Sequence, residues 1–193
     1  MLKRFKMEDS KPVSTLMITS CKLSKDDESL EVDHTMYRSM IGIRLYVTAT
    51  RPDVMQAVGL VSRFHSSPKE THVTIIKRIF KYLKGTMEYG LWYPKSQYFN
   101  LKTFADVDWV RSVVDRKRTS GKTFFLGNCL VSWLSKKQSS ISLSTAEAKY
   151  TAAASCCTQA IRMEQSLEDL LVKYENPIVI NCDNTSAIVI PRF

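Results

Sequence analysis

The chain has 193 residues, 44% hydrophobic and 24% charged, enough for one or two small domains with cores of their own. Its 28 Lys and Arg against 19 Asp and Glu leave a formal charge of +9. That balance favours a polyanionic partner, because cations that neutralise phosphates release counterions, although a basic surface alone is compatible with no specific partner. No stretch approaches the roughly 20 apolar residues of a membrane span, and no apolar signal core follows the basic start Met1-Leu2-Lys3-Arg4. A soluble intracellular chain with no visible address is therefore expected. The five cysteines, Cys21, Cys129, Cys156, Cys157 and Cys182, form no C-x-x-C pair, which suggests reduced, mostly buried thiols. The histidines, His34, His65 and His72, are too scattered to suggest a zinc site.

Residues 1–34 are polar, with Pro12, several serines and the cluster Lys25-Asp26-Asp27-Glu28. They predict an extended or loosely ordered lead-in, the acidic cluster lacking the spacing of a calcium loop. Residues 35–95 predict helices. The first runs from Met36 to about Thr48. The second starts at Pro52 and carries Val54, Val58 and Val61 to Phe64. The third runs from about Lys69 to Leu83, with Pro68 at its start and Gly85 as its stop. At about 100° per residue Val73, Ile76, Phe80 and Leu83 share one face of this third helix. Lys77, Arg78, Lys81 and Lys84 occupy a separate arc, as a solvated face or a phosphate-contacting one.

After Pro94 the pattern changes, and residues 96–193 predict an α/β domain. Leu101 to Trp109 alternates as a strand. Lys122–Leu126 and Cys129–Leu134 predict a hairpin across Gly127-Asn128, the turn type left open. Thr145 to about Leu171 predicts a long helix capped by Ser144 or Thr145. Pro177 to Asp183 predicts another strand, with Asn184 to Ile190 entering a helix. The order is strand, strand, strand, helix, strand.

Two aspartates stand out by position, Asp106 inside the first strand and Asp183 at the end of the last. Carboxylates within apolar strands are costly unless paired, hydrogen-bonded or bound to a metal. On neighbouring strands both could meet one hard cation such as Mg²⁺, which takes oxygen ligands and keeps several waters. The alternative is two strand-end aspartates capping loops. Asp108 shares a strand face with Asp106 and is a supporting residue at most.

Tyr37-Arg38-Ser39-Met40-Ile41-Gly42, Thr50-Arg51-Pro52-Asp53 and Tyr82-Leu83-Lys84-Gly85-Thr86 resemble the region after the polymerase core in copia-type retrotransposon Pol polyproteins of the plant kind. Asp115-Arg116-Lys117-Arg118-Thr119-Ser120-Gly121, Val131-Ser132-Trp133-Leu134-Ser135-Lys136-Lys137-Gln138, Leu143-Ser144-Thr145-Ala146-Glu147-Ala148 and Cys182-Asp183-Asn184 resemble the ribonuclease H domain that follows. The blocks run in family order over nearly the whole chain. The resemblance implies a helical reverse-transcriptase thumb or connection segment joined to an incomplete ribonuclease H-like domain with a mixed sheet. It also implies cleavage of RNA in RNA–DNA hybrids by two Mg²⁺ ions on four carboxylates, with Asp106 and Asp183 as ligands.

The family motif Ala-Glu-Ala-Glu-Tyr is here Ala146-Glu147-Ala148-Lys149-Tyr150. Position 149 falls on the stripe with Ala153, Cys156, Ala160, Met163 and Leu167, and Glu147 projects about 160° away. A lysine thus takes the place expected of the catalytic glutamate, unless the register differs and Glu147 serves instead. The family also continues past the Cys-Asp-Asn strand to a last carboxylate, so a truncated sheet is expected. The expectation is a catalytically inactive Pol fragment. The alternatives are a weakly active Mg²⁺-dependent nuclease using Asp106, Glu147 and Asp183, and a binding module that takes hybrid or other nucleic acid on Lys77, Arg78, Lys81 and Lys84.

Overall fold

A computed structural model describes residues 2–17, 23–24, 28–95, 99–108, 117–172 and 177–189. Cys21, Asp26, Asp27, Trp109, Asp115 and Arg116 lie outside the described residues, as does the Asp108 side chain. The chain is mixed α/β, with a four-stranded mixed sheet and five α-helices among the described residues. It divides into two compact units, Met1–Leu91 and Trp92–Phe193. No helix among the described residues is long and apolar enough to cross a membrane.

The first unit is helical: α1 (His34–Val47), α2 (Met55–Val61) and α3 (Glu70–Gly85). Short 3₁₀ turns at Pro52–Val54 and Ser62–Phe64 extend α2 at both ends, so the continuous helix expected over 52–64 is tightened at its termini. The apolar spacing read from the sequence is the buried one. Val54, Val58, Val61, Ile76 and Phe80 are fully covered, and Val73 and Leu83 nearly so. Burying each such side chain contributes roughly 1.5–3 kcal/mol. From α1, Tyr37 enters this core and donates its hydroxyl to Val61 O at 2.7 Å, which meets the polar end of an otherwise apolar ring.

α3 begins two residues after Pro68, because Lys69 is extended and forms an antiparallel bridge with Glu31. The Lys69 N–H donates to His72 Nδ1 at 2.9 Å, so Nε2 carries the proton and donates to Ser24 O at 3.0 Å. The described part of the polar stretch before α1 is packed, where an extended or loosely ordered lead-in was expected. Met7 is buried in the core and Phe5 stacks on Phe80 at 5.4 Å. Arg78 donates to Thr15 O at 3.1 Å, Lys84 to Ser10 O at 2.9 Å and to Glu8 O, and Val13 N to Lys81 O at 3.4 Å. Polarity alone suggested looseness; a few well-placed apolar residues and the cations of α3 hold the segment. Gly85 matters here: a Cβ would lie 3.1 Å from Pro12 Cβ, so the segment would have to give by a few tenths of an ångström to admit a side chain.

The second unit has β1 (Leu101–Asp108), β2 (Thr119–Leu126), β3 (Cys129–Lys137), α4 (Thr145–Asp169), β4 (Val179–Asn181) and α5 (Thr185–Val189). The sheet order is β3-β2-β1-β4, antiparallel except for the β1–β4 pair. Gly127 opens the β2–β3 turn at φ 60°, a conformation that glycine adopts without strain. β4 is shorter than the expected 177–183. Along β1, Leu101, Thr103, Ala105 and Val107 are buried while Lys102, Phe104 and Asp106 are exposed, and α4 covers the buried phase. Ala105 and Phe124 pack with Cys156 and Ala160, and Val107 packs with Ala148 and Ala152. Of the four described cysteines only Cys156 is buried, and Cys157 is exposed.

In the first unit one polar cluster ties the turn before α2 to the end of α3. Arg51 forks onto Asp53 at 2.9 and 2.6 Å and donates to Thr86 O and Oγ1 at 2.9 and 2.8 Å, while Tyr82 OH donates to Asp53. Burial alone would raise the Asp53 carboxyl, but the bonds from Arg51 and Tyr82 outweigh it and hold the group below the usual carboxylate range. Its contribution is therefore present above the ordinary carboxyl pKa and lost as pH falls through the lowered value. Arg51→Ala should cost about 3 kcal/mol in urea unfolding of the full chain. It should also flatten the acid limb of the stability curve, and an unchanged midpoint would refute the tie.

Candidate functional site

The parallel pairing of β1 and β4 sets Phe104 opposite Asn181. Two residues further along each chain come Asp106 and Asp183, so the register brings the two carboxylates to the same end of the pair. Asp106 lies on the exposed phase of β1, where its Oδ1 also accepts from Val107 N at 2.6 Å. Asp183 follows a strand that has already ended.

α4 supplies the third member. Its N-cap is Ser144, whose Oγ accepts from Glu147 N at 3.0 Å, while Glu147 Oε2 accepts from Leu143 N at 2.7 Å. Glu147 is exposed and spent on these capping bonds. Ala148 is fully buried, and Lys149 comes next. The sheet-facing stripe runs Ala148, Ala152, Cys156, Ala160, one residue off the expected 149 and 153 at its first two members. Lys149 flanks the stripe. Its Nζ lies 3.4 Å from Asp106 Oδ1 and donates to Asp183 Oδ1.

Electrostatics follow from this geometry. The Lys149 side chain is 16% exposed, whereas those of Asp106 and Asp183 are 72% and 69% exposed. The hydrogen bond to Asp183, reinforced by both carboxylate charges against a burial cost, holds the Lys149 ammonium above its usual pKa. The same bond holds Asp183 below the usual carboxylate range. The described residues, as arranged, do not fit a magnesium ion. Among the described residues no three His, Cys, Asp or Glu side chains are grouped to hold a metal, and the place between the two carboxylates is taken by an ammonium.

Of the residues expected to matter, the structure brings Asp106, Asp183 and Lys149 together and sets Glu147 at the helix cap. On α3, Lys77 is exposed, while Arg78 and Lys84 bond the chain at Thr15, Glu8 and Ser10. One positioning residue went unnoticed in the sequence. Gln138 Nε2 donates to Ser120 Oγ at 2.9 Å and to Ala148 O at 2.8 Å, and Ser142 donates to its Oε1 at 3.3 Å. It fixes the first turn of α4 against β2. A polar residue directly after a strand and before a capped helix was the available signal.

Replacing Lys149 with Met should raise the Asp183 pKa back toward the ordinary carboxylate range, read by side-chain carboxyl NMR against pH. Asp183 then contributes less to stability above the ordinary carboxyl pKa, the window in which a lowered pKa is stabilising. An Asp183 titration unmoved by the substitution would disprove the pairing.

Comparison with known proteins agrees with the motif order. The chain is 36% identical over 187 residues to the retrovirus-related Pol polyprotein from transposon RE1 of Arabidopsis thaliana, covering 97% of this chain and 13% of that protein. It is 34% identical, with the same coverage, to the Pol polyprotein from transposon RE2 of the same plant. It is 36% identical over 194 residues to that from transposon TNT 1-94 of Nicotiana tabacum, covering 97% and 14%. No family model matches the chain, and no solved structure matches it. The chain thus spans 13–14% of the length of these relatives. It belongs, as a segment, to the copia-type retrotransposon Pol polyprotein family.

Proposed function

We propose that the Trp92–Phe193 unit is a ribonuclease H-like domain of a retrotransposon Pol in which Lys149 stands where a catalytic metal would sit. It is a non-cleaving member, and its nucleic-acid partner is an RNA–DNA hybrid. The Met1–Leu91 unit is then the helical end of the reverse transcriptase. Support for the domain comes from the element order β1-β2-β3-α4-β4 and from the mixed sheet. The observation that carries the loss of cleavage is the Lys149 bridge from Asp106 to Asp183. An ammonium among carboxylates neutralises them and repels an incoming Mg²⁺. Two-metal hydrolysis needs the opposite arrangement, carboxylates free to hold the ions that activate water and stabilise the leaving oxygen. The net charge of +9 supports a polyanionic partner.

Incubating the full chain with end-labelled RNA in an RNA–DNA hybrid and Mg²⁺ should give no cleavage beyond that of Asp106→Asn. Cleavage that vanishes in Asp106→Asn would sink the proposal. Lys149→Glu should raise Mn²⁺ affinity by about tenfold or more in calorimetry, because it removes a repelling charge and adds an oxygen ligand. Binding of the hybrid should fall steeply with salt.

A further inference from the structure

β2 carries a cation in the phase where its pattern calls for cover. Ser120, Lys122 and Phe124 lie on the buried side, at 7%, 8% and 1% exposure. The Lys122 ammonium has three donors, yet among the described residues its hydrogen-bonding partner is the neutral Ser155 Oγ on α4, and no carboxylate pairs with it. It opens onto a cavity of about 350 Å³ between α4 and the β2–β3 hairpin, lined also by Ser132, Thr158, Gln159 and Arg162.

We propose that this cavity binds a phosphate group, with Lys122 as the buried charge and Arg162 as the charge at its rim. Both charged side chains named here are positive, so the ligand is an anion. Ser155 and Ser132 add hydroxyls and Gln159 adds an amide, while the Thr158 hydroxyl donates to Ala154 O at 3.3 Å. Such a mixed set suits a group with several acceptor oxygens better than a halide or a single carboxylate. That same burial pushes the Lys122 ammonium down from its usual pKa, the nearby Cys156 thiol acting against it and Lys136 with it. An arriving anion would relieve that cost. The place is distinct from the Lys149 bridge: Ser155 is six residues further along α4, about 9 Å of helix rise. It holds whether or not the unit is a ribonuclease H-like domain. The phosphate could belong to a nucleic-acid backbone or be free in solution.

Two titrations of the full chain at low salt, followed by backbone amide NMR, separate these sources. One uses inorganic phosphate, the other a short DNA strand without terminal phosphates. Saturable shifts are expected at Ser155 to Arg162 and at Ser132, with binding about tenfold or more weaker in Lys122→Met. Saturation by inorganic phosphate identifies a free phosphate site; saturation by DNA alone identifies a backbone contact. Arg162→Gln, at an exposed position, should also weaken binding and keeps the test decisive if Lys122→Met does not fold. No saturable shift at these amides with either probe, or affinity unchanged in both variants, overturns the proposal.

Discussion

The second unit depends on how closely α4 can lie against β1 and β2. Ala148, Ala152, Cys156 and Ala160 meet the sheet at spacings of four, and their small side chains let the helix approach. Everything chemical in the unit is set by that contact. At the start of α4 it brings Lys149 within reach of Asp106 and Asp183; further along it sets Ser155 over Lys122. A bulky residue on this stripe would lift the helix and separate both groups at once, because close-packed interiors do not absorb extra volume.

Each unit fixes its helices with polar ties as well as apolar cover. In the second unit Gln138 links β2, the chain before α4 and the Ala148 carbonyl. In the first, Arg51 reaches both Asp53 and Thr86. Such networks are strong when every donor finds an acceptor and costly when one is lost. They also specify direction: a stripe of alanines allows a helix to slide along a sheet, whereas an amide bonded to one named carbonyl does not.

Much of the fold was legible because burial follows period. Val73, Ile76, Phe80 and Leu83 are spaced by three and four and are all covered, and β1 alternates as its sequence does. Family blocks pointed to the retrotransposon relatives before any geometry was known. Two features were not legible. The α4 stripe begins at Ala148, not 149, because a row of alanines and cysteines carries too little contrast to fix its phase. The N-terminal segment packs through Phe5, Met7 and bonds from α3 that have no local signature. Lys122 had a signal that strand parity supplies: it is two residues from Phe124, hence on the same covered side.

The two lysines between α4 and the sheet, Lys149 on the helix and Lys122 on β2, show why position, not residue type, decides what a cation does. Lys149 faces two carboxylates and is held above its usual pKa; Lys122 faces a hydroxyl at a half-open cavity and is pushed below it. The first has its counter-charges within the fold, on Asp106 and Asp183. The second has no carboxylate beside it among the described residues, and its hydrogen bond goes to a neutral hydroxyl. Asp106 and Asp183 are therefore not left repelling one another: the ammonium neutralises them where β1 and β4 pair. On the proposed reading, the fold of the unit is thereby held without the ions that cleavage would need.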